Sequence, residues 1–203
     1  MKQTCIPVFI FALLLTACEK EDTDTNCKDR YYYYHSEKIP LTEIPNQASV
    51  SFYDTLSAET IQQRIGQFQE MNILSIPANN KYAIVSIHSG NCNETDKLLA
   101  AVKNDSAISN CNKFFVTEEG YTLGISDVFV CKVKSGTTQN QWMELIPANK
   151  VEIIKSNASG GHYTIRADKH SEGDALDMAN TFFESNFFEY AEPEFIVSYG
   201  TYE

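Results

Sequence analysis

From residue 48 onward the apolar residues switch between a spacing of two and a spacing of about 3.6, and the switches come in the same order twice. Val50 and Phe52 mark a strand. Ser57 then stands where a helix N-cap belongs, and Ile61, Ile65 and Phe68 recur at i, i+4 and i+7, on one helix face. Ile73 to Ile76 and Tyr82 to Ile87 read as strands around an Asn79-Asn80 turn. Asn93 opens a second helix with Leu98, Leu99 and Val102 inward, and Phe114 to Val116 closes the set as a strand.

The second half reads the same way. Val128 to Val133 is a strand, Trp142, Leu145 and Ile146 mark a helix that Pro147 should end, and Val151 to Ile154 and Tyr163 to Ile165 are strands around the turn Asn157 to Gly161. Ser171 to Asp174 is a capping-box sequence for a helix carrying Leu176, Ala179 and Phe183, and Phe188 to Val197 ends the half as a strand broken at Pro193. Ile73 matches Val151 at an offset of 78 residues and Tyr82 matches Tyr163 at 81. Each half is β-α-β-β-α-β. The fold expected is therefore α+β, two tandem ferredoxin-like units with antiparallel sheets, at 48–119 and 126–198. Before them, the run Tyr31 to Tyr34, a polar break and Ile39 to Leu41 predict a hairpin over 30–47.

The chain opens differently. Lys2, an apolar run from Ile6 to Leu15 and then Leu15-Thr16-Ala17-Cys18 have the form of a secretory signal, and the apolar run is shorter than the ~20 residues a membrane span needs. Small residues leading to a cysteine resemble the bacterial lipobox, which implies cleavage after residue 17 and lipidation of Cys18. A lipid-anchored protein of the outer membrane or cell surface is expected, with 18–29 as an acidic tether. Glu19-Lys20-Glu21-Asp22 resembles the surface-export tag of Bacteroidetes lipoproteins, and it reads equally as a solvated spacer.

Charge narrows the partners. Sixteen Lys and Arg against 27 Asp and Glu give a net charge of −11, with no basic stripe, so no nucleic-acid partner is expected. Six cysteines are present, of which Cys5 leaves with the signal. In an oxidising compartment Cys27, Cys92, Cys111 and Cys131 can form disulfides, with three connectivities open. Their separations are far longer than the short spacings of metal sites, and His35, His88, His162 and His170 are equally scattered. No metal, cofactor or acid-base pair is expected, and the chain reads as a non-enzyme.

Three phrases in the second half carry a resemblance: Lys132-Val133-Lys134-Ser135-Gly136, the run Ser171 to Asn180, and Phe187-Phe188-Glu189-Tyr190-Ala191-Glu192-Pro193-Glu194-Phe195-Ile196. They resemble the N-terminal pro-region of Bacteroidetes subtilisin-like serine peptidases. The Tyr31 run with Lys38 and Leu41 is similar to the start of those pro-regions. The resemblance implies a module whose sheet packs on a subtilisin-type protease, inhibiting it or assisting its folding, while an extended C-terminal segment enters the substrate cleft. Here that segment would be Val197, Ser198, Tyr199, Gly200, Thr201, Tyr202 and Glu203, with 199–203 a free tail. The serine, histidine and aspartate motifs of the protease domain itself are missing from this sequence. The competing expectation is a non-enzymatic envelope lipoprotein that recognises a glycan or a protein through exposed aromatics, Tyr31 to Tyr34 or Tyr199 and Tyr202.

Overall fold

The computed structural model describes residues 27–197. It contains nine strands and five α-helices. The strands are β1 (Asp29–Tyr34), β2 (Glu37–Phe52), β3 (Met71–Ser75), β4 (Tyr82–Ile87), β5 (Ile108–Val116), β6 (Thr122–Val133), β7 (Glu152–Asn157), β8 (His162–Arg166) and β9 (Phe188–Val197). The helices are α1 (Ala58–Ile65), α2 (Cys92–Val102), α3 (Gln139–Trp142), α4 (Leu145–Ala148) and α5 (Ala175–Glu184).

All nine strands belong to one sheet, in the order β3-β4-β2-β5-β6-β8-β7, with β1 added to β2 and β9 to β6. Each of its pairings is antiparallel. This corrects the expected fold class. The protein is a mostly antiparallel β structure, one sheet curled into a half-barrel with short helices, and not two tandem ferredoxin-like units. The physical reason lies in the chain between the halves. β5 turns directly into β6 through Thr117 to Tyr121, and Phe115 and Val116 pair with Leu123 and Thr122, so the backbone ladder crosses where a linker was expected. β2 likewise runs unbroken for 16 residues, through the expected boundary between 47 and 48.

Apolar spacing reports which face of an element is buried, and at that level several local readings hold. Ser57 caps α1, its hydroxyl accepting from the Thr60 amide at 3.2 Å, and Ile61 and Ile65 are buried. The capping box expected from Ser171 is not made: Asp174 itself caps α5, accepting from the Leu176 and Asp177 amides, both at 2.9 Å, while the Ser171 hydroxyl donates to the Lys150 carbonyl. Others shift. α2 is capped by Asn91, not Asn93, and the single helix expected around Trp142 is two separate single turns with Pro147 inside the second.

The halves do repeat, in a way the side chains conceal. β2 slips register between Ile44 and Ala48 and again between Ser51 and Phe52, and β3 slips between Ile73 and Ser75. β6 slips between Ile125 and Phe129 and between Lys132 and Val133, and β7 between Ile153 and Lys155. Each irregularity of the first half thus recurs 80 or 81 residues later. Ile73 is equivalent to Ile153 rather than to Val151.

Two cores lie under the helices. Ala48, Val50, Ile61, Ile65, Val85, Leu99 and Val102 form the first, and Phe129, Trp142, Ile165, Ala179, Phe182 and Phe188 the second. Leu41, Phe115, Ile125 and Leu176 form a separate, smaller cluster drawn from both halves. Alternation along β4 and β5 sends Ile84 and Phe114 to the reverse face, where they meet Ile196, Ile44 and Tyr82. Phe114 is wholly buried there because Gly124 has no side chain to hold it off. A Cβ at residue 124 would lie 2.4 Å from the Phe114 ring. Overpacking of this kind costs about 1–3 kcal/mol. Gly124→Ala should lower the urea midpoint accordingly, and Phe114→Leu in the same chain should recover part of the loss.

Candidate functional site

β6 has β9 along one edge, while its other edge is shared: β5 pairs with its first residues and β8 takes over from Val128. Between those two partners the sheet forks. The backbone at a fork has no ladder partner, and unpaired buried peptide groups cost free energy comparable to a lost hydrogen bond. Side chains supply the missing bonds. Ser49 donates to the Ile125 carbonyl at 2.6 Å, Asn112 to the Ser126 carbonyl at 3.1 Å and Asn110 to the Ala167 carbonyl at 2.9 Å. The Ala167 amide donates to the Asp127 carbonyl and the Lys169 amide to the Ser109 carbonyl. Ser49, Ser109, Asn110, Asn112, Ser126 and Asp127 are all buried.

A pocket of about 510 Å³ opens beside this fork, lined from the first half by Ser51, Tyr53, Lys81 and Tyr82 and from the second by Ser126, Asp127, Lys155, Thr164, Arg166 and Glu194. Its floor is the β6 irregularity, which turns Ser126 and Asp127 out of the normal alternation. The Ser126 amide neighbour is engaged locally, Val128 donating to the Ser126 hydroxyl, which in turn donates to Glu194 at 2.9 Å. Arg166 Nε lies 3.2 Å from Asp127 Oδ2, and the Tyr53 hydroxyl donates to Asp168 at 2.7 Å. Burial pushes the Asp127 carboxyl up, and the nearby Arg166 charge only partly opposes that. Burial and the Asp168 bond raise the Tyr53 hydroxyl in the same direction, so it stays protonated at neutral pH.

On the helix side a second cleft of about 310 Å³ is walled by Arg30, Glu43, Asp96, Lys113 and Asp174. Buried Glu43 is shared by Arg30 at 3.0 Å and Lys113 at 2.8 Å, and Lys113 also reaches Asp96 at 2.6 Å. Arg30 continues to Asp174 and Asp177 on α5. Burial alone would lower the Arg30 pKa, but Asp174, Asp177 and Glu43 outweigh it and raise it. Arg30, Glu43, Lys113, Asp96, Asp174 and Asp177 thus form one chain of ion pairs, a clamp between the first hairpin and the start of α5.

The sequence-predicted residues fall as follows. Cys27 and Cys92 form a disulfide that fixes the chain before β1 to the start of α2. Cys111 and Cys131 do not join that framework, which corrects the expectation of disulfides among all four. Both are free and buried, and burial pushes each thiol up to about 12. Three tyrosines of the run, Tyr31, Tyr32 and Tyr33, are half-buried. Tyr31 and Tyr33 both donate to Glu184, Tyr33 stacks on Phe183, Tyr32 meets Phe195 edge to face, and only Tyr34 of the four is largely exposed. Val197 is the last residue of β9, paired with Leu123 and half exposed. Cys18, Ser198, Tyr199, Gly200, Thr201, Tyr202 and Glu203 lie outside the described residues.

Among the described residues no group of three or more His, Cys, Asp and Glu is placed to hold a metal ion. His88 meets Asn72, His162 meets Tyr190, and His35 packs on Tyr34. The fork and its pocket were not legible in the sequence, where Asn110, Asn112, Ser126 and Asp127 look like ordinary surface polarity. The one available signal was the small polar residues next to apolar or cysteine neighbours, Asn110 and Asn112 around Cys111 and Ser126-Asp127 between Ile125 and Val128. No protein-family model matches the chain, and comparison with curated proteins returns no significant match.

Two outcomes follow. Burial makes Asp127 hold its proton more tightly folded than unfolded, so its own contribution to stability should fall as pH rises above the ordinary aspartate range near ~3.9. Asp127→Asn should flatten that slope in urea titrations run from acid to neutral pH. Native protein should also leave Cys111 and Cys131 unreacted with a thiol reagent at neutral pH, and unfolding should release both.

Proposed function

We propose that the chain is a non-enzymatic, lipid-anchored envelope protein that binds a subtilisin-type serine protease and inhibits it or assists its folding. The resemblance of residues 132–136, 171–180 and 187–196 to protease pro-regions is one support. The observation that carries the reading is the course of β9. It remains a strand through Val197, and Ile196 belongs to the apolar cluster on the helix-free face of the sheet. β9 is thus extended to its last described residue, at an edge of the sheet and beside an apolar cluster built from strand residues. An extended segment can add to a protease cleft by main-chain hydrogen bonds, with alternate side chains entering pockets.

The membrane enters through the other end. Cys18 would carry the lipid, and the Cys27–Cys92 disulfide leaves fewer than ten residues between lipid and folded body. At ~3.5 Å per extended residue the body stays within about 30 Å of the anchor. Tyr31, Tyr32 and Tyr33 favour protein contact over a glycan-stacking platform, because they are half-buried and already held by Glu184, Phe183 and Phe195.

Removing 198–203 tests the tail directly. The truncated protein should inhibit a secreted subtilisin-type protease at least tenfold more weakly than the full chain, with unchanged thermal stability. An unaltered inhibition constant, or no inhibition by the full chain, rejects this reading.

A further inference from the structure

The pocket beside the fork has features that the hydrogen-bonding needs of the fold leave unexplained. Its volume of about 510 Å³ falls in the ~300–1,000 Å³ span of small-molecule sites. The Ser51 side chain at its wall is 1% exposed, and its hydroxyl has no hydrogen-bond partner in the structure. Buried hydroxyls are rarely left so. The charges are also lopsided. Three cations, Lys81, Lys155 and Arg166, line it against two carboxylates: Asp127 is paired with Arg166, and Glu194 accepts from the Ser126 hydroxyl. Lys81 and Lys155, which reach the pocket from opposite halves, are in no ion pair among the described residues. In a chain of net charge −11, two uncommitted cations converging on one concavity favour a negatively charged occupant.

We propose that this pocket binds a small hydroxylated anion of sugar size. Its acid group lies between Lys81 and Lys155, and a ligand hydroxyl meets Ser51. The shared chemistry, an anionic group on a polyhydroxylated ring, can come from a carboxylate or from a phosphate. This site is independent of the tail and of any protease.

Calorimetric titration of the full chain tests it with three probes: glucuronate, glucose 6-phosphate and neutral glucose. At least one anion should bind with a dissociation constant at least tenfold below that of glucose, and the tighter of the two identifies the acid group. Lys81→Met with Lys155→Met should weaken that binding at least tenfold at unchanged melting temperature, since both side chains are exposed. Binding of neither anion at millimolar concentration, equal binding of glucose, or full affinity in the double variant would overturn the assignment. If the double variant does not fold, amide shifts in the wild-type chain decide. Shifts centred on Ser126 to Val128 and Thr164 to Arg166 support the site, and shifts elsewhere contradict it.

Discussion

The structure depends on how one strand, β6, serves two neighbours along a single edge. β5 occupies the start of that edge and β8 the rest, so the ladder must change partner partway, and a change of partner strips hydrogen bonds from the backbone on both sides. Ser49, Asn110 and Asn112 supply them from the side, each aimed at a carbonyl of the other half. A buried amide of this kind is worth keeping only if nearly all of its bonds are made. These three residues accordingly do what a linker cannot. They fuse two similar runs of elements into one sheet, beside a small apolar cluster of Leu41, Phe115, Ile125 and Leu176 drawn from both halves.

The duplication explains why the fusion takes this form. In the first half β1 lies on the same edge of β2 as β4, and β5 lies opposite. In the second half β5 takes the position beside β6 that β1 has beside β2. β5 therefore ends one half and begins the other. The first hairpin has no preceding half to lean on, and Arg30, Tyr31 and Tyr33 instead fasten it to α5 near the end of the chain. The Arg30 and Lys113 network around buried Glu43 is the electrostatic part of that closure. Breaking one partner of such a buried network is costly because the remaining charge is stranded.

Much of this was readable locally and little of it globally. Ser57, Ile61 and Ile65 announced α1, and Asp174 with Leu176 and Ala179 announced α5, because caps and apolar spacing are properties of neighbouring residues. Strand partnership is not such a property. Nothing in Phe115-Val116 or Thr122-Leu123 distinguishes a strand end from a strand joined to the next half, and the expected pair of separate units failed on that point. The single helix expected around Trp142 fails for a similar reason, since its apolar residues fill the second core from two single turns as well as from one helix. The pocket at the fork stayed invisible because polar residues at 110, 112, 126 and 127 become buried only through contacts between the halves.

If the fork joins the halves into one cooperative body, both cores must be lost together. Trp142, the single tryptophan, sits in the second core and Cys111 in the first, so each reports its own half. Equilibrium urea unfolding of a Cys131→Ala chain, followed by Trp142 fluorescence and by pulsed labelling of Cys111, compares them directly. The account predicts superimposable transitions with one midpoint. Two separated midpoints would contradict it.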